Sequence, residues 1–462
     1  MEMDAFMSLI YANLPEPPVS TAARLTALRG GAAPSDCVDR LSSLPDDLLR
    51  GIVSRLPAKD AARTATLASR WRGVWLSTPL VLVDTDLSSV AVPASSRPDA
   101  VADAVSRALA AHPGPFRCAH LVSTRMAAPQ LKRWLRLLAA KGVQDLVLVN
   151  RPSLFDQMVP LPKTLFAIST LTRLYIGVWK FPDVAAGLSG TGASFPHLRE
   201  LGICSVAMED GDIEVVVARS PVLVILNIHG SMSGTRLRLV SHSLRCLQIY
   251  VAAMASIDVV DAPRLERFIM SESLNPAVGS CTRAGIKPSA SMMLTSVKTL
   301  SLKVRFGVLD DVKMLASFLR CFPNVEALHI MSVKCDRSTG KLNLVRFWGK
   351  AGPIVSVMLR IKVMTFREYR AEQDELAFLQ YIFQSTRVLK FTSVSLANSI
   401  FTSLSVKEMS STLDCDKKWV SKFSFLICGS NGPEGGSPWP FQRGADFSND
   451  DPFAPVKLIT SG

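Results

Sequence analysis

The chain lacks closely spaced cysteines. Its nine stand at 37, 118, 204, 246, 281, 321, 335, 415 and 428, the nearest pair thirteen apart, so no C-x-x-C occurs. Ribbon- and RING-type zinc sites need paired ligands at short spacing, which this pattern does not supply. An odd, scattered set fits reduced, mostly buried thiols in the cytosol or nucleus. No run of eighteen apolar residues is free of charge, so no membrane span and no membrane partner are expected. The first 37 residues hold no basic region leading into an apolar stretch, which argues against a secretory signal. Arg24 and Arg29 among alanines hint at a transit peptide, but Glu2, Asp4 and Glu16 oppose it. Aromatic residues are few, at 7%, and no block of five lysines or arginines interrupts the chain. The formal charge of +13 is therefore read as favouring acidic partners, with nucleic acid a weaker alternative.

Signatures of chemistry are missing as well. Gly187, Gly190 and Gly192 match neither a dinucleotide-binding turn nor a P-loop, and Thr191 stands where a G-x-S-x-G elbow needs glycine. Cys118 and His120 share one face of a strand but have no further ligands nearby in sequence. His197, His229, His242 and His329 adjoin apolar motifs and read as packing or surface residues. No acid–base constellation assembles, so no catalytic residue, metal or cofactor is expected, and the chain is read as a non-enzyme. With 48% hydrophobic and 20% charged residues over 462 positions, it is a folded protein with room for a small module and a repeat array.

The most concentrated apolar signal lies early. Leu44-Pro45-Asp46-Asp47-Leu48-Leu49, then Ile52, Val53 and Leu56-Pro57, reads as a short helix. Pro45 suits its start, and Asp46 and Asp47 meet the positive end of its dipole. Leu48, Leu49, Ile52, Val53 and Leu56 make one broad stripe, and Pro57 ends it. A second helix is expected from Lys59-Asp60 through Leu67, and a third over Trp71, Val74 and Trp75 with Arg70 and Arg72 exposed. Between 40 and 76 there are seven Arg/Lys against three Asp, a net of +4. So small a module cannot bury all this apolar surface alone, which implies a partner or the first layer of a larger core.

Farther on, an apolar-x-x-apolar-x-apolar motif returns. It reads Val143-Leu146-Leu148, Leu171-Leu174-Ile176, Leu198-Leu201-Ile203, Leu223-Leu226-Ile228, Leu244-Leu247-Ile249, Leu265-Phe268-Met270, Val297-Leu300-Leu302 and Val325-Leu328-Ile330. The steps between copies are 28, 27, 25, 21, 21, 32 and 28 residues. Pro196, Pro221, Pro263 and Pro323 each stand two positions before a motif. The alternation suits a short strand with one buried face, and the period is that of leucine-rich repeats. Phe116 to Val122 reads as a degenerate first strand. Helices are expected over Pro98 to Ala111, Leu131 to Ala140 and Asp310 to Arg320. The alternative is a set of unrelated strands in an ordinary α/β domain.

The early motif resembles the F-box: Leu-Pro at 44–45, Leu-Pro-x-Lys-Asp at 56–60 and Arg-Trp-Arg-x-x-Trp at 70–75 occur in family order. Ala68 and Ser69 depart from the larger residue and lysine of many members. Residues 360–390, with Phe366-Arg367-Glu368-Tyr369-Arg370, Glu375 to Leu379 and Arg387-Val388-Leu389, resemble the FBD region of plant F-box/leucine-rich-repeat proteins. The resemblance implies an α/β chain: a small all-helical F-box, an irregular leucine-rich-repeat solenoid with parallel strands, and an FBD-like cap. The expected boundaries are a flexible segment over 1–38, F-box 39–86, linker 87–97, solenoid 98–345, FBD-like cap 346–428 and, from Gly, Pro and Ser content, a disordered tail over 429–462. The resemblance further implies a substrate receptor of an SCF-type cullin ubiquitin ligase. Leu44, Pro45, Leu48, Ile52, Leu56, Trp71 and Trp75 would bind the Skp-family adaptor, and the repeats an unidentified target protein. Specificity is expected in the insertions Gly187 to Ala193 and Ser271 to Ser291. Competing readings are a repeat scaffold outside any ligase and a basic, nucleic-acid-associated solenoid.

Overall fold

A computed structural model describes residues 2–19, 41, 43–87, 97–152, 158–182, 195–230, 236–250, 256–271, 293–334, 344–398, 423–430 and 439–454. The fold is mixed α/β, a helical N-terminal region followed by parallel-strand repeats. The chain forms two compact units, one of Leu14–Ala207 with Arg219–Val222, the other of Met1–Asn13, Met208–Ala218 and Leu223–Gly462.

The second of these units contains the N-terminal helix α1 (Glu2–Tyr11), whose Met7 and Ile10, three apart, are buried. The start of the chain, expected to be flexible, is therefore structured over residues 2–19. In the first unit, α2 (Asp46–Val53) and α3 (Ala58–Thr64) each begin directly after a proline, Pro45 and Pro57. The helix α4 (Ser69–Ser77) packs on both. Next comes β1 (Leu80–Val83), buried along its length. It pairs in parallel with β2 (Phe116–Leu121), while Pro57 bridges to Val81. The parallel sheet thus begins at Leu80, inside the stretch assigned to the F-box, and not after residue 97.

Between these strands runs α5 (Arg97–Ala111), and α6 (Ala128–Ala140) follows β2. The first unit's sheet continues through β3 (Asp145–Val149), β4 (Arg173–Gly177) and β5 (Glu200–Cys204), all parallel. Leu146, Leu174 and Leu201 lie in one register column and Leu148, Ile176 and Ile203 in another, all buried, so the repeating motif is the core-facing side of adjacent rungs. Gly202 lies against Tyr175; a Cβ there would come within 2.1 Å of the ring, which keeps the position glycine.

The second unit also contains α7 (Asp212–Ala218), and its main sheet starts at β6 (Ile225–His229). That strand pairs with β8 (Cys246–Tyr250), which is followed by β10 (Arg267–Ser271), β11 (Thr299–Val304) and β12 (Ala327–Ser332), again all parallel. Leu226, Leu247, Phe268, Leu300 and Leu328 share one core column. Repeat length decides what connects the rungs. The two 21-residue steps are too short for a strand plus a helix and instead carry β7 (Arg236–Val240) and β9 (Ser256–Asp261), a separate parallel pair. The edge of β7 is blunted by carboxylates: the Arg236 N–H donates to Asp210 at 2.8 Å and the Arg238 N–H to Glu214 at 2.6 Å. The longer step before β12 accommodates α8 (Leu309–Cys321).

The FBD-like region adds further rungs. After α9 (Leu344–Ala351) and α10 (Val355–Leu359), β13 (Val363–Tyr369) pairs with β12. Then α11 (Gln373–Ser385) leads to β14 (Phe391–Leu396), and β15 (Ser424–Cys428) ends the ladder. A strand, a turn, a helix and a strand occur here in that order, with Leu379, Ile382 and Phe383 buried and Leu376 half-buried. The insertion Gly187 to Ala193 and nearly all of the insertion Ser271 to Ser291 lie outside the described residues.

Candidate functional site

Two surfaces stand out, one in each unit. The first is the outer side of α2. Leu49 and Val53 face inward, whereas Leu48 and Ile52, on the adjoining side of the same stripe, are 57% and 40% exposed. Pro45 is exposed, Leu44 and Leu56 are half-buried, and Leu41, Leu67 and Leu76 add further exposed apolar surface. Arg70 fixes the start of α2, donating to Asp46 Oδ1 at 2.7 Å and to the Leu44 carbonyl at 2.6 Å. Arg50 and Arg63 pair with Asp47 and Asp60. The local acidic charge is thereby neutralised, and among the described residues the exposed Arg55, Lys59 and Arg72 carry no ion pair.

The two tryptophans point elsewhere. Trp71 is only 5% exposed because α4 turns it, with Val74, onto its buried side. The Trp75 ring packs on His112 at 5.0 Å, and His112 meets Phe116 edge-on at 5.2 Å. Gly114 permits this contact, since a Cβ there would lie 2.2 Å from the Leu76 carbonyl oxygen. Trp75 thus holds the helical module to the first rungs of its own unit, while Trp71 is buried on the inner side of α4. Of the seven expected contact residues, the structure groups Leu44, Pro45, Leu48, Ile52 and Leu56 along α2 and its ends.

The second surface is the non-core face of β6, β8, β10, β11 and β12. Its columns differ in chemistry from the core columns: Asn227, Gln248, Ile269, Ser301 and His329 form one, and Ile225, Cys246, Arg267, Thr299 and Ala327 its neighbour. Residues 439–454, expected to be disordered, lie on this face. Trp439 and Phe441 are each 1% exposed and cluster with Cys246, Tyr250, Ile269 and Met331. Polar contacts run largely to the segment's main chain. Gln248 Nε2 donates to the Phe441 carbonyl at 3.0 Å and the Tyr250 hydroxyl to the Trp439 carbonyl. The Arg267 guanidinium donates to the carbonyls of Gly444 (2.8 Å), Asp446 (2.7 Å) and Asn449. Phe447 lies beneath both Arg245 and Arg267, 3.9 and 4.1 Å from its centroid. His329 Nε2 meets Asp451 Oδ1 at 2.8 Å, and its ring meets Phe453 edge-on. Burial works against the Asp451 carboxylate, but His329 beside it holds its pKa below the ordinary value.

Neither surface brings reactive groups together. Burial pushes the Cys118 and Cys204 thiols up to about 12, which suits packing and not nucleophilic work. His120 Nε2 lies 3.2 Å from the Pro15 carbonyl, and among the described residues no three His, Cys, Asp or Glu side chains converge on a metal position.

A helical module with an outward apolar stripe, followed by parallel rungs at repeat spacing, defines a modular repeat protein built for binding. The F-box domain model matches residues 41–82. The model described as FBD-associated F-box protein At5g56370, LRR repeats, matches 131–286 and 277–330, and the FBD model matches 350–394. The chain thus carries an F-box, leucine-rich repeats and an FBD, in that order. Among its relatives in Arabidopsis thaliana is the putative F-box/FBD/LRR-repeat protein At3g49480, 24% identical over 79% of this chain and 91% of the relative. The probable FBD-associated F-box protein At1g32375 is 25% identical over 50% of this chain and 55% of its own length. F-box/FBD/LRR-repeat protein At5g22700 is 56% identical over 48 residues, 10% of this chain and 11% of the relative.

Proposed function

We propose that the chain is the substrate-recognition subunit of an SCF-type cullin ubiquitin ligase, a receptor without catalytic groups of its own. Its F-box joins a Skp-family adaptor and through it a cullin, and its repeat and FBD rungs hold a target protein. Ubiquitin transfer then follows from proximity, as the assembly raises the local concentration of target lysines near the charged carrier. The observation that carries this reading is the outward half of α2. Leu48 and Ile52 are exposed on a helix whose other half is buried, beside Pro45 and Leu44, which is the kind of apolar anchor that dominates protein interfaces. Arg55, Lys59 and Arg72 would draw in an acidic adaptor surface. Such a receptor works in the cytosol or nucleus, where free thiols such as Cys118 and Cys204 stay reduced.

The test is co-purification of the adaptor with the full chain carrying Leu48→Asp and Ile52→Asp. Both side chains are exposed, so the fold should persist while adaptor binding is lost. Undiminished adaptor binding by a folded double variant would sink the assignment.

A further inference from the structure

The segment over residues 439–454 sits where a bound peptide would sit. We propose that the non-core face of β6, β8, β10, β11 and β12 is a docking surface for a short segment of a partner protein, one bearing two aromatic residues around a proline that opens a helical turn, as Pro440 does over Phe441–Ala445, followed by acidic residues. The chain's own C-terminal segment is the resident occupant that such a partner displaces. The inference rests on the receptor reading above, and it supplies the chemistry of what the repeats receive.

Three observations carry it. The face is built for polar recognition, unlike the core columns behind it: Gln248, Arg267 and Tyr250 all donate to main-chain carbonyls of the segment, contacts that any chain of similar path can offer. The covering is also imperfect. Gln248 Oε1, His229 Nδ1, Ser301 Oγ, His329 Nδ1, Trp439 Nε1 and Asp451 Oδ2 are buried without a hydrogen-bond partner among the described residues. A partner segment that supplied hydrogen bonds to these groups would gain over the resident one. Charge is complementary as well. The segment brings Asp446, Asp450 and Asp451 to a face that offers Arg267, with His329 as hydrogen-bond partner of Asp451 and Arg245 held alongside by Glu266. Two aromatic residues flanking Pro440 and an acidic stretch a few residues later are therefore the pattern the face accepts.

The test uses the full chain and a fluorescently labelled synthetic peptide of residues 437–454. In the wild-type chain the tethered copy competes at high effective concentration, so the labelled peptide should bind about 100-fold more weakly than to a released chain. Two variants release the segment independently. Trp439→Ala with Phe441→Ala removes its anchors. Gly444→Leu unseats it sterically, because even a Cβ at that position would lie 2.3 Å from Gln248 Oε1 and 2.8 Å from Ile269 Cδ1. Both released chains should capture the labelled peptide, and neither should capture a peptide with alanine in place of the tryptophan and first phenylalanine. Hydrogen exchange on the wild-type chain adds a measurement free of mutation: amides of 441–454 should exchange well before those of β10 and β12. Equal binding to wild-type and released chains, no binding to folded released chains, or exchange of the segment only with global unfolding would each overturn the proposal. Adaptor co-purification, followed in parallel, should be unchanged in all variants; its loss would count against the ligase reading and not against the docking face.

Discussion

The outer side of α2 and the non-core face of the later rungs are opposite solutions to the same problem. The first is apolar, open and ringed by charges that pair at the surface, as Arg50–Asp47 and Arg63–Asp60 do. The second mixes polar and apolar side chains and is covered, with charge taken under the covering at Arg267 and Asp451. An open apolar stripe is tolerable when it is narrow and its owner spends its time bound, because each exposed leucine costs little alone. A wide face exposing Tyr250, Ile269 and Met331 together would invite non-specific association, so keeping it occupied is the safer state. If both surfaces bind as proposed, exposure alone is a poor guide to where this chain meets its partners. One of these surfaces is conspicuous because it is bare, and the other because the chain covers it.

The contrast can be broken most directly at α2. Leu48→Asp with Ile52→Asp should weaken adaptor binding by about 100-fold or more, the scale of losing two interface anchors. Thermal stability should shift little, since both residues are at the surface. A large drop in melting temperature would show that the stripe supports the fold instead of serving a partner. An effect of comparable size sharpens the comparison between the two sides of one strand. Leu247→Ala, in the core column, should cost about 2–5 kcal/mol in urea unfolding, and Gln248→Ala, its neighbour on the other face, much less.

Next in size is the buried carboxyl of Glu375, which accepts N–H groups from Arg370 and Glu372 and a hydrogen bond from Ser332. Burial raises its pKa from the ordinary 4.5 to about 7. Between those values the folded chain keeps a proton that the unfolded chain releases. The stabilisation is complete below the unfolded pKa and is lost as pH rises through the folded one, a change on the order of 3 kcal/mol at most. Glu375→Gln, which stays neutral, should flatten that slope in denaturation measured from pH 4.5 to 8; an unchanged slope would remove Glu375 as its source. The smallest effect is expected at the surface ion pair, where Arg70→Ala should cost about 1 kcal/mol or less. A loss as large as that at Leu247 would mean that the helical module depends on its surface charges.

Much of this was legible in the sequence. The eight apolar motifs fall on core-facing positions of β3, β4, β5, β6, β8, β10, β11 and β12, because a leucine that repeats at a fixed offset has the same neighbour on every rung. The short helices of the F-box followed from proline and aspartate at their starts. Other features had weaker signals. Leu80-Val81-Leu82-Val83 is a continuous apolar run, which does not distinguish the end of a helical module from the first strand of a sheet. Trp71 and Trp75 are four apart on one helix, and spacing could not tell that both serve internal packing. Glycine, proline and serine content predicts disorder over 429–462, which includes the segment 439–454. What secures it is a set of main-chain carbonyls reaching Arg267, and no side-chain pattern encodes a carbonyl. Trp439, Phe441, Phe447 and Phe453, unusual in so polar a stretch, were the available sign.

Chain order gives the covered face a history during synthesis. Cys246 and Gly444, which meet through the thiol and a carbonyl, are separated by 198 residues. Domains fold from the N-terminus as they leave the ribosome, and parallel rungs need only their predecessors to pack. Strands β6 to β12 can therefore be in place while the segment that covers them has yet to be translated. For that interval every newborn copy presents the face bare. A ligand or chaperone meeting the nascent chain competes with a rival that has not yet been made, an advantage it loses once translation ends.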